Sequence, residues 1–302
     1  MLDSLASLTY WLDFRHRRIA DINLRIAFPE LVAAQRQRFA RNSFQSVARN
    51  LLEISRLDTL TPDNISALVE YDPDCGLNNF EAARARGKPI LYLTGHFSAW
   101  ELLPTAHALH GYPLSFVTRP LDNPRLERYL LRIREAAGNQ VISKWNSARL
   151  ILEKLKASGS VGILIDQNTR VQEGTFAGFF GLPAATTTSL ALFALRTDAI
   201  VLPGYLTAKK GSRYYIKFLP PLDPIRTGDK IRDIQLNTEW FNKVVENIIR
   251  EQPETWLWSH MRWKYQPYGN PQHIYDLTDQ ELEAFLAHLR RPVNPGLGPM
   301  RN

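Results

Sequence analysis

A single cysteine, Cys75, stands in a chain of 302 residues. It excludes an internal disulfide and a cysteine-built metal cluster, and it fits a reducing compartment. No apolar run approaches the roughly 18 residues needed to cross a bilayer, and the N-terminus lacks the basic start and cleavage site of a secretory signal. As written, the chain has no membrane-spanning segment. It also lacks a phosphate-binding glycine loop, a dinucleotide fingerprint, an internal repeat and any metal-ligand spacing, so neither a metal nor a resident cofactor is expected.

Acidic residues are outnumbered. With 37 Lys and Arg against 30 Asp and Glu the net charge is +7, which favours an acidic partner: a phospholipid surface, a phosphorylated glycolipid or an acidic carrier protein. Nucleic acid is not expected, because no zinc-finger spacing, helix-turn-helix signal or RNA-binding fingerprint accompanies the charge.

What the chain does have is organised around Pro89–Glu101, PILYLTGHFSAWE. The apolar run up to Thr94 ends in Gly95 and delivers His96, so it reads as a buried strand with a histidine at its carboxyl end, where open α/β sheets place their ligands. Glu101 follows His96 by five positions, which puts the two on different helix faces. The simplest geometry sets His96 in the turn and Glu101 in the first helical turn. There the carboxylate can reach back, fix the imidazole tautomer and leave the other ring nitrogen to take a proton from a hydroxyl. The plain alternative is a structural histidine followed by a glutamate that the helix dipole favours.

Other stretches are legible by pattern. Leu2, Leu5, Leu8, Trp11 and Leu12 share helical spacing ahead of Arg15-His16-Arg17-Arg18, which suits either an interfacial helix at an anionic membrane or a helix packed on its own domain. Helices are expected over 31–56, 78–87, 97–110 (with Pro104 kinking it or marking a new first turn), 125–137, 147–158, 186–196, 237–250 and 279–290. Strands are expected over 113–118, 161–165, 198–205 and 213–219, the last at a sheet edge. His107 and His110 read as structural or surface residues. The strand 161–165 ends at Asp166-Gln167-Asn168, and a carboxylate there is costly unless it finds a partner. Gly174, Gly178 and Gly181 would let a loop approach a ligand, and Phe176, Phe179 and Phe180 would line either an acyl groove or the core. The Pro/Gly-rich end past residue 290 reads as mobile.

Taken together, GHFSAWE, Arg119 followed by Asp122-Asn123-Pro124, Asp166-Gln167 with Phe179-Phe180-Gly181-Leu182-Pro183, and PETWLWSHMRWK resemble, in order, the motifs of the lipid A biosynthesis (lauroyl/myristoyl) acyltransferases within the glycerolipid acyltransferase superfamily. Those enzymes typically carry Gly-Asn where this chain has Ser98-Ala99. The resemblance implies an α/β single domain, with a mostly parallel central sheet flanked by helices and an N-terminal helical layer. It divides the chain into a membrane-proximal helical segment (1–60), the acyltransferase domain (61–266) and a C-terminal helix with tail (267–302).

By the same resemblance, His96 would be the general base and Glu101 its orienting acid. Arg119, Asp122, Asn123, Asp166 and Gln167 would bind substrate, although Asn123 also reads as a plain helix cap. His260 would pack between indoles. The implied reaction moves a fatty acyl chain from acyl carrier protein or CoA to a hydroxyl of a lipid A precursor, at the cytoplasmic face of a bacterial inner membrane. Residues 15–30 resemble the segment that follows the family's N-terminal anchor, so the anchor is lost, lies upstream, or is replaced by an interfacial helix. Rival readings are acylation of another glycolipid such as a phosphatidylinositol mannoside, an ester hydrolase, for which Ser98 lacks a nucleophile-elbow context, and an idle lipid-binding relative.

Overall fold

The computed structural model describes residues 9–145, 147–209, 213–267 and 273–289. Leu2, Leu5, Leu8 and the Pro/Gly-rich end lie outside that set.

A helical stretch at residues 9–12 leads into α1 (Phe14–Ala27) and α2 (Ala33–Ile54). There follow α3 (Ile65–Leu68), β1 (Val69–Tyr71), α4 (Gly76–Arg84), β2 (Ile90–Thr94), α5 (Leu102–Leu109), β3 (Ser115–Thr118), α6 (Pro124–Glu135) and β4 (Gln140–Ser143). The chain continues through α7 (Ser147–Lys156), β5 (Ser160–Leu164), β6 (Gly174–Phe179), β7 (Leu182–Thr187), α8 (Ser189–Thr197), β8 (Ile200–Lys209) and β9 (Arg213–Phe218). It ends with α9 (Lys230–Glu251) and α10 (Asp279–Leu289).

Seven strands form one sheet in the order β1-β9-β8-β2-β5-β3-β4. The strands from β8 to β4 run parallel, and β9 reverses direction against β8. Parallel sheets need helices on both faces, and strand alternation supplies the apolar surface for each. Ile90 and Tyr92 of β2 point into a layer built with Phe80, Leu102, Ala106 and Ile133 of α4, α5 and α6. Leu91 and Leu93 point the other way, toward Ile22 and Leu24 of α1, Leu190 of α8, Val245 and Ile248 of α9, and three indoles: Trp256, Trp258 and Trp263. The N-terminal helical layer is therefore part of the core, and Asn23 of α1 donates to the carbonyls of Trp258 and His260 at 2.7 Å each.

Two expectations are corrected here. The 213–218 strand is not an edge: the short β1 pairs in parallel along its outer side, and three residues were too few to register as a periodic pattern. The glycine-bearing stretch after Gln167 is an antiparallel hairpin, β6–β7, braced against α9 by the Gln235 and Asn242 side chains. Phe179 and Phe180 are buried in the main core, which is the plain reading of the two.

Candidate active site

β2 and β5 are neighbours, and their register pairs Thr94 with Leu164. His96 and Asp166 each lie two residues beyond that pair, so the equal overhang carries them to the same point at the carboxyl edge. His96 Nδ1 lies 2.9 Å from Asp166 Oδ1, while Asp166 Oδ2 accepts the His96 backbone N–H at 2.8 Å and the Trp256 indole N–H at 2.7 Å. Gly95 makes room for this approach: a Cβ there would sit 2.9 Å from Asp166 Cγ. The closing segment is pinned beside the turn by Ser98 N–H to the Thr255 carbonyl at 3.0 Å and Leu257 N–H to the His96 carbonyl at 3.2 Å.

Asp166 is 1 % exposed. Burial alone would raise its pKa, but the charge and hydrogen bonds of His96 and the Trp256 indole outweigh it and hold the carboxyl down at about 2. An ionised carboxylate on Nδ1 fixes the proton on that nitrogen and turns the lone pair of Nε2 outward. Gln167 Nε2 lies 3.2 Å from it, and the Trp100 ring stands edge-on to the imidazole, with centroids 5.2 Å apart.

The segment after Asp166 is clamped from behind. Asn168 N–H donates to His260 Nε2 at 2.9 Å, so His260 serves as an acceptor. Burial, only partly opposed by Asp166, pushes its pKa down to about 4 and keeps it neutral. Arg262 is fully buried and donates to the Ala185 carbonyl at 2.8 Å, the Thr186 hydroxyl at 2.7 Å and the Gln167 carbonyl at 3.4 Å. Burial, again offset in part by Asp166, lowers its pKa to about 10, leaving it charged at neutral pH.

Glu101 does not reach back to His96. It sits at the N-cap position of α5, where its carboxylate is gripped by Arg134 of α6 through Nε at 2.9 Å and Nη2 at 2.7 Å; its backbone N–H donates to Asn50 of α2. Two-point guanidinium pairing in a mostly buried setting outcompetes a bent return path to the imidazole. Arg119 and Asp122 lie beyond the carboxyl end of β3, 72 % and 98 % exposed and 3.9 Å apart. Asn123 caps α6 by accepting the N–H groups of Arg125 and Leu126. The structure thus brings together His96, Asp166 and Gln167, and places Glu101, Arg119, Asp122 and Asn123 in other contacts. His107 is buried between Tyr71 and Tyr92, bonded to both hydroxyls.

The pattern described as bacterial lipid A biosynthesis acyltransferase matches residues 1–265. The chain belongs to this family. It is accordingly an acyltransferase, and its relatives share most of their length with it. The chain is 26 % identical to the lipid A biosynthesis lauroyltransferase of Escherichia coli K12 over 260 residues, covering 85 % of this chain and 82 % of that one. It is 27 % identical to the lipid A biosynthesis palmitoleoyltransferase of the same strain over 257 residues, covering 84 % and 81 %. To that strain's lipid A biosynthesis myristoyltransferase it is 22 % identical over 243 residues, covering 80 % and 73 %.

Within this family member, the closing block supplies what reading by motif did not assign: Trp256 as a donor to Asp166, and Arg262 as a brace behind the Asp166–Gln167 turn. The signal for Asp166 was present in the sequence, as a carboxylate ending a fully apolar strand. Its partner was set by strand order, which no local pattern carries.

Proposed function

We propose that this chain transfers a fatty acyl group from an acyl thioester, carried on acyl carrier protein or CoA, to a hydroxyl of a lipid A precursor, with His96 as general base and Asp166, rather than Glu101, as its orienting acid. The supporting observation is the pairing of His96 Nδ1 with the buried, ionised Asp166 at 2.9 Å. His96 Nε2 takes the hydroxyl proton as the oxygen bonds to the thioester carbonyl carbon. The carbonyl π pair moves onto oxygen and then returns as the C–S bond breaks, and the imidazolium protonates the leaving thiolate. General-base help of this kind contributes on the order of 10²–10⁴ in rate.

Arg119, exposed beyond the carboxyl end of β3, is proposed to bind acceptor phosphate. Trp11, Leu12 and Phe14 are 58 %, 67 % and 67 % exposed beside Arg15 and Arg18, which supports peripheral contact with an anionic inner-membrane surface. Among the described residues no helix is long and apolar enough to cross a membrane.

The test is mass spectrometry of lipids from cells lacking the gene, complemented with wild type or His96→Ala. Loss of one acyl chain from lipid A, restored by wild type alone, is expected. A shift in a different glycolipid would overturn the acceptor. No lipid change at all would overturn the reaction.

A further inference from the structure

We propose that Gln167 is a further catalytic residue: in the free enzyme its carboxamide caps His96 Nε2, and during transfer it donates to the oxyanion that forms on the thioester carbonyl. The proposal rests on the reading of His96 as the base.

Four observations carry it. Gln167 Nε2 stands 3.2 Å from His96 Nε2, the ring nitrogen left as an acceptor once Asp166 holds the proton on Nδ1. That tautomer orients the amide: the NH₂ group, not the carbonyl, must face the ring. The Gln167 backbone is fixed, because its own carbonyl accepts from the buried Arg262 and the next residue's N–H is held by His260. Finally, Asp166, the carboxylate beside it, is already surrounded by donors and needs nothing from Gln167.

An incoming hydroxyl must take the place of the carboxamide at Nε2. The displaced NH₂ group keeps two hydrogens and moves by side-chain rotation from a clamped backbone. The attacking oxygen and the carbonyl oxygen end on the same carbon, so a donor next to the first is within reach of the second. The capping state also leaves the base occupied until an acceptor arrives, which slows loss of the thioester to water. No bond is made to Gln167. The amide lends a hydrogen bond to the carbonyl oxygen while its π pair is displaced, and releases it when the C–S bond breaks and the carbonyl reforms.

The experiment uses the full purified chain in phospholipid–detergent micelles with a lipid A precursor and an acyl thioester. It compares wild type, His96→Ala, Gln167→Met and Gln167→Glu. The two Gln167 variants keep the length of the side chain and lose its N–H donors. Removing one oxyanion donor costs about 10²–10³ in kcat. That loss is expected in both, with KM for the donor held within about threefold and thermal stability unchanged.

A second readout separates stabilisation of the oxyanion from structural support. With a dithioester donor, whose sulfur accepts hydrogen bonds poorly, the wild-type preference for the oxygen donor is expected to shrink in Gln167→Met; equal losses on both donors would mean a structural role and overturn the proposal. Full kcat in Gln167→Met would do the same. Thiol release without acceptor is followed in parallel. If wild type acylates nothing yet releases thiol in a His96-dependent way, the acceptor has been misread, and the Gln167 comparison is decided on thiol release. If it does neither, both readings fall.

Discussion

Glu101 and Arg134 form a two-point ion pair, 2.9 and 2.7 Å, with side chains 17 % and 10 % exposed. The pair ties the N-cap of α5, one residue after Trp100 and five after His96, to the last turn of α6. Glu101 is thereby a joint between two helices, and the histidine is left to Asp166.

That joint predicts a difference in kind between two carboxylates. Glu101→Ala and Arg134→Ala should each destabilise by about 1–3 kcal/mol, because each leaves a poorly solvated charge, and the double variant should recover part of the loss. Chemical denaturation of the four proteins measures the coupling. Glu101→Gln should keep most of its kcat; a folded Glu101→Gln as inactive as His96→Ala would show that Glu101 acts in the chemistry after all.

Asp166→Asn should be folded and slow, down by on the order of 10²–10⁴ in kcat. Three donors converge on the carboxylate, the His96 backbone, His96 Nδ1 and the Trp256 indole, and an amide offers one acceptor oxygen in place of two. One donor loses its partner, and the imidazole is no longer held with Nε2 free. Acyl-transfer rates on protein of matched thermal stability would show it, and near-native kcat would remove Asp166 from the mechanism.

Acid should loosen the site before it protonates Asp166. His260 takes its proton near pH 4 when folded and near 6.5 when unfolded, so the unfolded chain binds it first. Its contribution to stability is complete above about pH 6.5 and is lost as pH falls toward 4. Buried His107, held down to about 3, acts in the same direction. Asp166, at about 2 against 3.8, contributes above the higher value and loses that below it, a separate window. Between pH 7 and 4.5 wild type should lose about 2–3 kcal/mol more stability than His260→Gln, whose side chain can still accept from Asn168. Equal slopes in urea unfolding would refute this role for His260.

Ser98 carries a left-handed backbone, φ 49°, a conformation that glycine adopts without steric cost. A non-glycine residue there costs on the order of 1 kcal/mol, so Ser98→Gly should raise stability by about 0.5–1 kcal/mol. Thermal melts decide it, and a lower melting temperature would mean that the hydroxyl contributes more than the strain costs.

The sequence by itself determined where His96 and Asp166 fall along their elements. The apolar run before Gly95 set His96 at a strand end, and the apolar run before Asp166 did the same for the carboxylate, because a buried parallel strand must be apolar on both faces and polar groups must wait for its end. It also placed Asn123 as a cap and most helices within a few residues. Tertiary structure alone decided who meets whom. Glu101 lies five residues from His96 and Asp166 seventy, and the nearer acid pairs elsewhere because β5, not α5, lies beside β2 in register. Local spacing records distance along the chain. The order of strands in a sheet is fixed by the packing of whole helical layers on its two faces, and no single motif contains it.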